Sequence, residues 1–404
     1  MAVVTRGRVW PAPLIVLVLA VLTSLLVPRL ATGSTPAPTS ANAATSDSST
    51  SYAHNFTKVT TAYTDTVSHG DGTRVPDIIS TSADDAVVVW REGIVPGHVD
   101  QGYIRYSYTT NAGTGWSQPQ MLVQETDDMT WNNVALFHTG NQIFAYVTGA
   151  PASAASHGGD HASAVVVKRS TDEGHSWSTY ATNLDDIAKR VKTNIAFSGH
   201  PIQLGPNSYA MPYWASGREN GTLISSDLST WTPNTTAAAT GGLLPGENQI
   251  AVSQDDSGNG KSLVMVARAS GNAAVATSSD GGHTWGQFRD DDPGMPLPSS
   301  NIAKDFFAKD SNGQYLYIYN PATEQANRSE LAYKVKPAGG SWGPQTFLLD
   351  TVLGDDPEQP SPPGGAGWDT YPMASEYAPG KFYVVWEADT MHIMVGKLDV
   401  SGTA

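Results

Sequence analysis

Ser278-Ser-Asp-Gly-Gly-His-Thr-Trp285 is a short polar stretch that carries two glycines and ends in a tryptophan. It recurs along the chain. Ser170-Thr-Asp-Glu-Gly-His-Ser-Trp177 keeps Ser, Asp, Gly and Trp at the same offsets. Thr109-Thr-Asn-Ala-Gly-Thr-Gly-Trp116 substitutes Thr for Ser and Asn for Asp. Ser225-Ser-Asp-Leu-Ser-Thr-Trp231 is one residue short, and Gly339-Gly-Ser-Trp342 keeps only the end. The five tryptophans follow one another at intervals of 61, 54, 54 and 57 residues. A near-constant period of this length marks a repeat architecture rather than a single catalytic motif. Asp and Ser can tie a tight turn to its own backbone, Gly permits the unusual dihedrals, and Trp buries the hairpin against its neighbour. The segment reads as a structural clip.

Between the clips the hydrophobic period is two. Asp84-Asp-Ala-Val-Val-Val-Trp-Arg91, Ala164-Val-Val-Val-Lys-Arg-Ser170, Ser262-Leu-Val-Met-Val-Ala-Arg268, Gln314-Tyr-Leu-Tyr-Ile-Tyr319 and Lys381-Phe-Tyr-Val-Val-Trp-Glu387 are short β-runs bounded by turn signals. One helix is expected, around Asn183 to Arg190. A unit of this length suits four antiparallel strands with their loops, and the folded part holds about six such units. The expected fold is all-β, a six-bladed β-propeller of four-stranded antiparallel blades. A blade that joins the two chain ends needs no clip, so five clips suit six blades.

The N-terminus reads differently. Arg6 and Arg8 precede the apolar run from Ala12 to Val27, and Ala31-Thr-Gly33 offers small residues for cleavage. Residues 1–33 are expected to be a secretion signal, with a retained membrane anchor as the alternative. Residues 34–54, rich in Ser, Thr, Ala and Pro, read as a flexible leader, and residues 55–404 as the propeller. The expected location is extracellular. With no cysteine in 404 residues, disulfides and thiolate chemistry are excluded, so packing must supply stability. A formal net charge of −15 argues against a nucleic-acid partner but leaves room for a small basic pocket. Asp255-Asp-Ser-Gly-Asn-Gly260 has the composition of a calcium loop but reads first as a surface turn. No cofactor or metal is expected, and the protein is expected to be a monomer.

Turns and strands leave the arginines unexplained. Arg74, Arg91, Arg268 and Arg328 stand at the ends of apolar runs, where a core has no use for them. Their phases against the clip tryptophans, with that of Glu247, split into one group near inner-strand ends and one just after the second strand. A propeller converges such positions on its axis. Separate surface salt bridges are the alternative.

These residues carry a resemblance. The chain resembles the bacterial exo-sialidases, the neuraminidase-like glycoside hydrolases with repeated "Asp box" clips, from about Asp71 to Glu387. Arg74-Val-Pro76 is similar to the family's Arg-Ile-Pro segment, which implies that Arg74 is the first arginine of a carboxylate-binding triad. Arg268 in Val-Ala-Arg and Arg328 after Asn320-Pro321 match the second and third. Trp90-Arg-Glu-Gly with Asp100 resembles the stretch that supplies an extra pocket arginine, Arg91, and a catalytic Asp. Gly199-His-Pro-Ile-Gln-Leu204 and Met211-Pro-Tyr213 resemble the family's glycine-containing loop and following strand. Glu247 matches the glutamate that partners the nucleophile, Tyr371 the nucleophilic tyrosine, and Glu387 the glutamate that braces the first arginine. Two departures stand out. The Ile-Val-Pro-Gly-His before Asp100 is not the usual Ser/Asp-rich loop, and Pro372 follows the tyrosine directly.

The resemblance implies removal of terminal sialic acid from glycans with retention of configuration. Three guanidiniums can hold a carboxylate through charge-assisted bonds. A tyrosine attacks as a neutral hydroxyl whose proton goes to Glu247, which avoids setting a carboxylate against the substrate's own. Sialidases are the known exception to the two-carboxylate rule. Asp100 would protonate the leaving oxygen and then activate water. Glu247 is expected to be half-exposed. The alternatives are a hydrolase, lyase or trans-glycosidase acting on another acidic sugar, and a carbohydrate-binding propeller without catalysis.

Overall fold

The computed structural model describes residues 55–65, 72–93, 102–152, 164–190, 195–215, 219–234, 243–290, 295, 297–300, 303–321, 328, 330–350 and 369–402. The expected signal and leader, Asp100, and the Pro/Gly-rich stretch from Asp355 to Gly367 lie outside the described residues.

Six antiparallel sheets follow one another along the chain as the six blades of a propeller, and a seventh, two-stranded sheet pairs Ser270–Asn272 with Pro298–Ser300. Blade 1 runs Thr73–Ser80, Ala86–Glu92, Tyr103–Thr109 and Gln120–Val123, each strand pairing with the next. Blade 2 repeats the meander from Met129–Thr139 to Ser178–Thr179, and blade 5 from Phe306–Lys309 to Thr346–Asp350. In blade 3 the first strand is split into Ile195–Ala196 and Ile202–Gly205, both paired with Ser208–Ala215. The helix Leu184–Arg190 precedes it, where a helix is expected. Blade 6 is built from both ends of the chain. Asp369–Ala378, Lys381–Ala388 and His392–Asp399 are completed by Phe56–Thr64 as the outer strand.

Blade 4 departs from the expected four strands. Asn248–Val252, Leu263–Ala267 and Ala274–Ser278 form its sheet, and among the described residues the fourth position holds only an isolated bridge between Val275 and Arg289. The segment that follows, Asp290-Asp-Asp-Pro-Gly-Met-Pro296, is poor in strand formers. Its prolines have no N–H to donate, and adjacent aspartates disfavour a ladder.

The core lies between blades, in layers. Along the second strand of blade 1, Val87 and Val89 pack with blade 2, whereas Ala86, Val88 and Trp90 pack with blades 5 and 6. The period of two in the sequence is this alternation. Clip tryptophans pack on the preceding blade. Trp177 meets Tyr106 edge-on at 5.9 Å, Trp231 meets Tyr146 at 5.8 Å, and the Trp285 indole N–H donates to Thr222 Oγ1 at 3.0 Å.

The clips close as their residue types require. Asp172 Oδ1 accepts from Ser170 Oγ and from the Ser176 N–H, while Ser170 Oγ accepts from the Gly174 N–H. Asp280, Ser278, Gly282 and Thr284 repeat the pattern. Asn111 and Thr109 preserve it with an amide in place of the carboxylate. In the short copy Leu228 adopts φ 63° where the longer copies place glycine. Gly174 is required on two grounds. Its φ is +86°, and a Cβ there would come within 2.2 Å of Val87 Cγ2 on blade 1.

The candidate calcium loop is a turn of the same kind. The Asp256 carboxylate accepts the N–H groups of Gly258, Gly260, Lys261 and Ser262.

Candidate active site

In a four-stranded meander the start of the first strand and the end of the second share one end of the blade. The turn between strands three and four lies at the other. The clips therefore occupy the end opposite the arginines. Arg74 and Tyr371 stand at first-strand starts of blades 1 and 6, and Glu247 directly precedes the first strand of blade 4. Arg91 and Glu387 close second strands, Arg268 follows one, and Arg328 precedes the third strand of blade 5.

Two of these positions are local copies of each other. In blade 1 the register passes from Arg74↔Arg91 to Asp77↔Val89, so Val75-Pro76 bulges opposite Trp90. In blade 6 it passes from Thr370↔Glu387 to Met373↔Val385, so Tyr371-Pro372 bulges opposite Trp386. Both bulged residues are left-handed, Val75 at φ 52° and Tyr371 at φ 54°. Such a conformation costs about 1–3 kcal/mol in a non-glycine residue and persists only where the surroundings hold it. Here the Val75 N–H donates to Glu387 Oε2 at 2.7 Å, and Val75 packs with Tyr371 and Ala303. The bulge also accounts for Pro372. A bulged segment leaves the ladder, so a proline there forfeits no strand hydrogen bond.

The site assembles around Tyr371, which is 8% exposed. Arg268 Nη1 lies 2.7 Å from Glu247 Oε2 and 3.5 Å from the Tyr371 hydroxyl. The Arg74 and Arg328 guanidiniums lie 5.8 and 5.4 Å from the centre of the Tyr371 ring. Arg74 Nε donates to Glu387 Oε1 at 2.7 Å, and Glu387 is completely buried. The Arg328 carbonyl accepts the Asp369 N–H, which ties blade 5 to the strand that carries Tyr371. The structure thus brings together Tyr371, Glu247, Arg74, Arg268, Arg328 and Glu387. Arg91 is buried and paired in register with Arg74.

Glu247 is more enclosed than the sequence suggests, at 8% rather than half-exposed. The reason is its support. Asn248 and Ser198 exchange hydrogen bonds, the Asn248 amide donates to the Tyr213 carbonyl, and the Gln249 amide donates to the Ser198 carbonyl. These bonds draw blade 4 onto blade 3 and carry Glu247 inward.

Electrostatics follow from this crowding. Burial, with the negative charge of Glu247, pushes the Tyr371 phenol up to about 12 against the pull of Arg268, Arg328 and Arg74. The phenol is therefore neutral near pH 7, and losing its proton requires an acceptor beside it. Burial opposes the charge on Arg268, but Glu247, Tyr371 and Asp305 outweigh it and raise its pKa.

Four residues near the site escape the sequence reading. Asp77 is fully buried and accepts from the Ile78 and Leu136 N–H groups and from His200 Nε2, the last at 2.6 Å. Lys304 is 1% exposed. Asp305 Oδ2 accepts the Tyr317 hydroxyl at 2.7 Å. The available signals were an acidic residue directly after Arg74-Val-Pro76 and a lysine within Ala303-Lys-Asp-Phe306.

A propeller with its charged residues gathered at one end of the blades defines the class of protein. The chain belongs to the family described as BNR repeat-like domain, whose model matches residues 67–383. Solved structures share its fold at low identity. A Hadza microbial sialidase is 16% identical with a TM-score of 0.64, over 84% of this chain and 68% of that one. A leech intramolecular trans-sialidase, solved with 2,7-anhydro-Neu5Ac, is 13% identical with a TM-score of 0.61, over 86% and 71%. The intramolecular trans-sialidase of Ruminococcus gnavus is 13% identical with a TM-score of 0.61, over 85% and 96%. No curated protein sequence matches the chain.

Proposed function

We propose that the protein is a retaining exo-α-sialidase with Tyr371 as nucleophile. One observation carries the reading: Tyr371 and Glu247 meet on the same Arg268 nitrogen, with Arg74 and Arg328 on the Tyr371 ring. Three guanidiniums around one tyrosine suit a substrate whose carboxylate sits on the carbon under attack. Tyr371 Oη would attack that carbon while Glu247 takes the phenol proton. The leaving oxygen would receive a proton from Asp100, the residue that the family pattern suggests for this role. Water, activated by the same aspartate, would then displace the tyrosine and return its proton through Glu247. Two inversions retain configuration. Sialylated glycans are the proposed substrates, and the Arg-led apolar N-terminus supports export as the proposed location.

The test uses the purified protein with an aryl sialoside, and with an aryl glucuronide and an aryl Kdo glycoside as acidic controls, followed by proton NMR. Cleavage of the sialoside alone is expected, with the α-anomer appearing first. A 2,3-difluoro sialoside should label the peptide containing Tyr371, and Tyr371→Phe should abolish the label. Glu247→Gln should lower kcat by a factor of about 10² to 10⁴, the usual worth of a positioned proton acceptor. Cleavage of only a control would place the protein among hydrolases of other acidic sugars. An adduct on another residue would overturn the assignment of Tyr371.

A further inference from the structure

Val75 and Pro76 bulge out of the blade 1 ladder, so strand pairing does not fix the backbone that carries Arg74. Two buried carboxylates do, one at each end of the bulge. At its start, Glu387 of blade 6 takes Arg74 Nε and the Val75 N–H, both at 2.7 Å. At its end stands Asp77, which is completely buried. Asp77 Oδ1 lies 2.7 Å from the Ile78 N–H and 2.6 Å from His200 Nε2, while Oδ2 lies 2.7 Å from the Leu136 N–H. With two N–H groups already on the carboxylate, the imidazole nitrogen is the third donor. Asp77 therefore fastens the bulge to blade 2 through Leu136 and to blade 3 through His200.

The imidazole is itself aimed by packing. Its ring meets Phe306 of blade 5 edge-on at 6.4 Å, and its side chain is 18% exposed. Gly199 beside it is closely seated, because a Cβ there would come within 2.7 Å of both the Asn248 carbonyl and Gln249 Oε1. The matching bulge of blade 6 ends differently. Tyr371-Pro372 is followed by Met373, whose sulfur lies 3.7 Å from the Gln249 amide. A thioether is a weak acceptor, so the firm anchor belongs to the bulge that carries Arg74. That bulge also bears on the nucleophile, since Val75, left-handed at φ 52°, packs with Tyr371 and Ala303.

We propose that Asp77 and His200 are a positioning pair for Arg74. Their hydrogen bond anchors the far end of the Val75-Pro76 bulge to blade 3 and so sets where the Arg74 guanidinium meets a substrate carboxylate. The inference rests on reading Arg74 as a carboxylate-binding arginine. His200 acts through Asp77, and Asp77 acts through the bulge. Without the imidazole, Asp77 keeps the Ile78 and Leu136 N–H groups but loses its tie to blade 3. A left-handed valine persists only while its surroundings hold it, so the loosened bulge relaxes and carries Arg74 with it.

The experiment compares the wild type with His200→Leu, which deletes the donor, and with His200→Gln, which keeps an N–H donor of similar reach. With an aryl sialoside, His200→Leu should raise KM about tenfold and change kcat by no more than about twofold, the pattern of lost binding rather than lost chemistry. A readout independent of turnover is hydrogen exchange at Arg74 Nε–H, followed by NMR in arginine-labelled protein. Its resonance is identified as the one missing from Arg74→Lys, and in His200→Leu it should exchange about tenfold faster at a temperature where both proteins are folded. His200→Gln should restore both readouts. Asp77→Asn should match His200→Leu, and adding His200→Leu to it should bring no further change, because His200 works through Asp77. If Asp77→Asn does not fold, the two His200 variants carry the test. A lowered melting temperature with KM and Arg74 exchange unchanged would make the pair purely structural and overturn the proposal. Additive effects in the double variant would also overturn it. Should the wild type fail to cleave sialosides while Arg74 exchange still responds to His200→Leu, the proposed function fails and the anchoring of Arg74 by the pair stands.

Discussion

The two ends of each blade solve opposite problems. In the clips, the aspartates are answered within a few residues. The Asp172 and Asp280 carboxylates are filled by donors no more than four positions away, and the left-handed geometry is shared between glycines and residues such as Glu173 and Leu228. At the arginine end, partners come from distant blades, and the left-handed positions are held by a valine and a tyrosine. The Arg74–Glu387 bond spans 313 residues. Local satisfaction makes the clip a stable turn with nothing left to offer a ligand. Remote satisfaction leaves guanidiniums, a phenol and a carboxylate poised in one place, which is what a reactive site requires.

Substitutions at each end separate the two. The largest effect is expected for Glu387→Gln. It leaves the buried Arg74 guanidinium without its counter-charge and should cost about 3–5 kcal/mol, read by chemical denaturation. It should also raise KM for a carboxylate-bearing substrate. A variant as stable as the wild type would mean that Arg74 is held by other groups and that the ends differ less than described. Gly174→Ala, at the clip end, should destabilise by about 1–3 kcal/mol through its left-handed φ and the approach to Val87, while kcat stays unchanged. Loss of activity at unchanged stability would couple the clip to the site and break the comparison.

The smallest effect concerns acid. The Thr230 N–H, with the Ser229 N–H and side chain, holds Asp227 down to about 2. An unfolded aspartate titrates near about 3.9. The folded pKa is the lower one, so the stabilisation is present above about pH 4 and is lost as pH falls toward 2. Thermal melting of the wild type should therefore drop across that window more than melting of Asp227→Asn. Because Asp227 is exposed, the difference should be small. Identical pH profiles would show that the clip's hydrogen bonds do not distinguish the charged carboxylate from an amide, as the Asn111 copy already hints.

Much of this was legible in the sequence, for a physical reason that differs by region. The clips announce themselves because their hydrogen bonds join residues two to four apart, so composition and geometry are the same information. The strand runs announce themselves because blade faces alternate. The arginines were visible as charges misplaced at the ends of apolar runs. Lys304 was not, since nothing local distinguishes it from a surface lysine. The enclosure of Glu247 was equally hidden, because it depends on Asn248 meeting Ser198 fifty residues away.

By itself, then, the sequence determined the number of blades, the placement of the clips, the helix before blade 3 and the order in which the arginines appear. All of these follow from short-range periodicity and turn chemistry. Only the tertiary structure decided that Phe56–Thr64 closes blade 6, that the described residues of blade 4 reach its fourth position by an isolated bridge and that Val75 and Tyr371 occupy matching bulges. It alone buried Lys304, next to the Ala303 that packs with Tyr371. Each of these depends on contacts between segments far apart in the chain, and such contacts form when the ring closes.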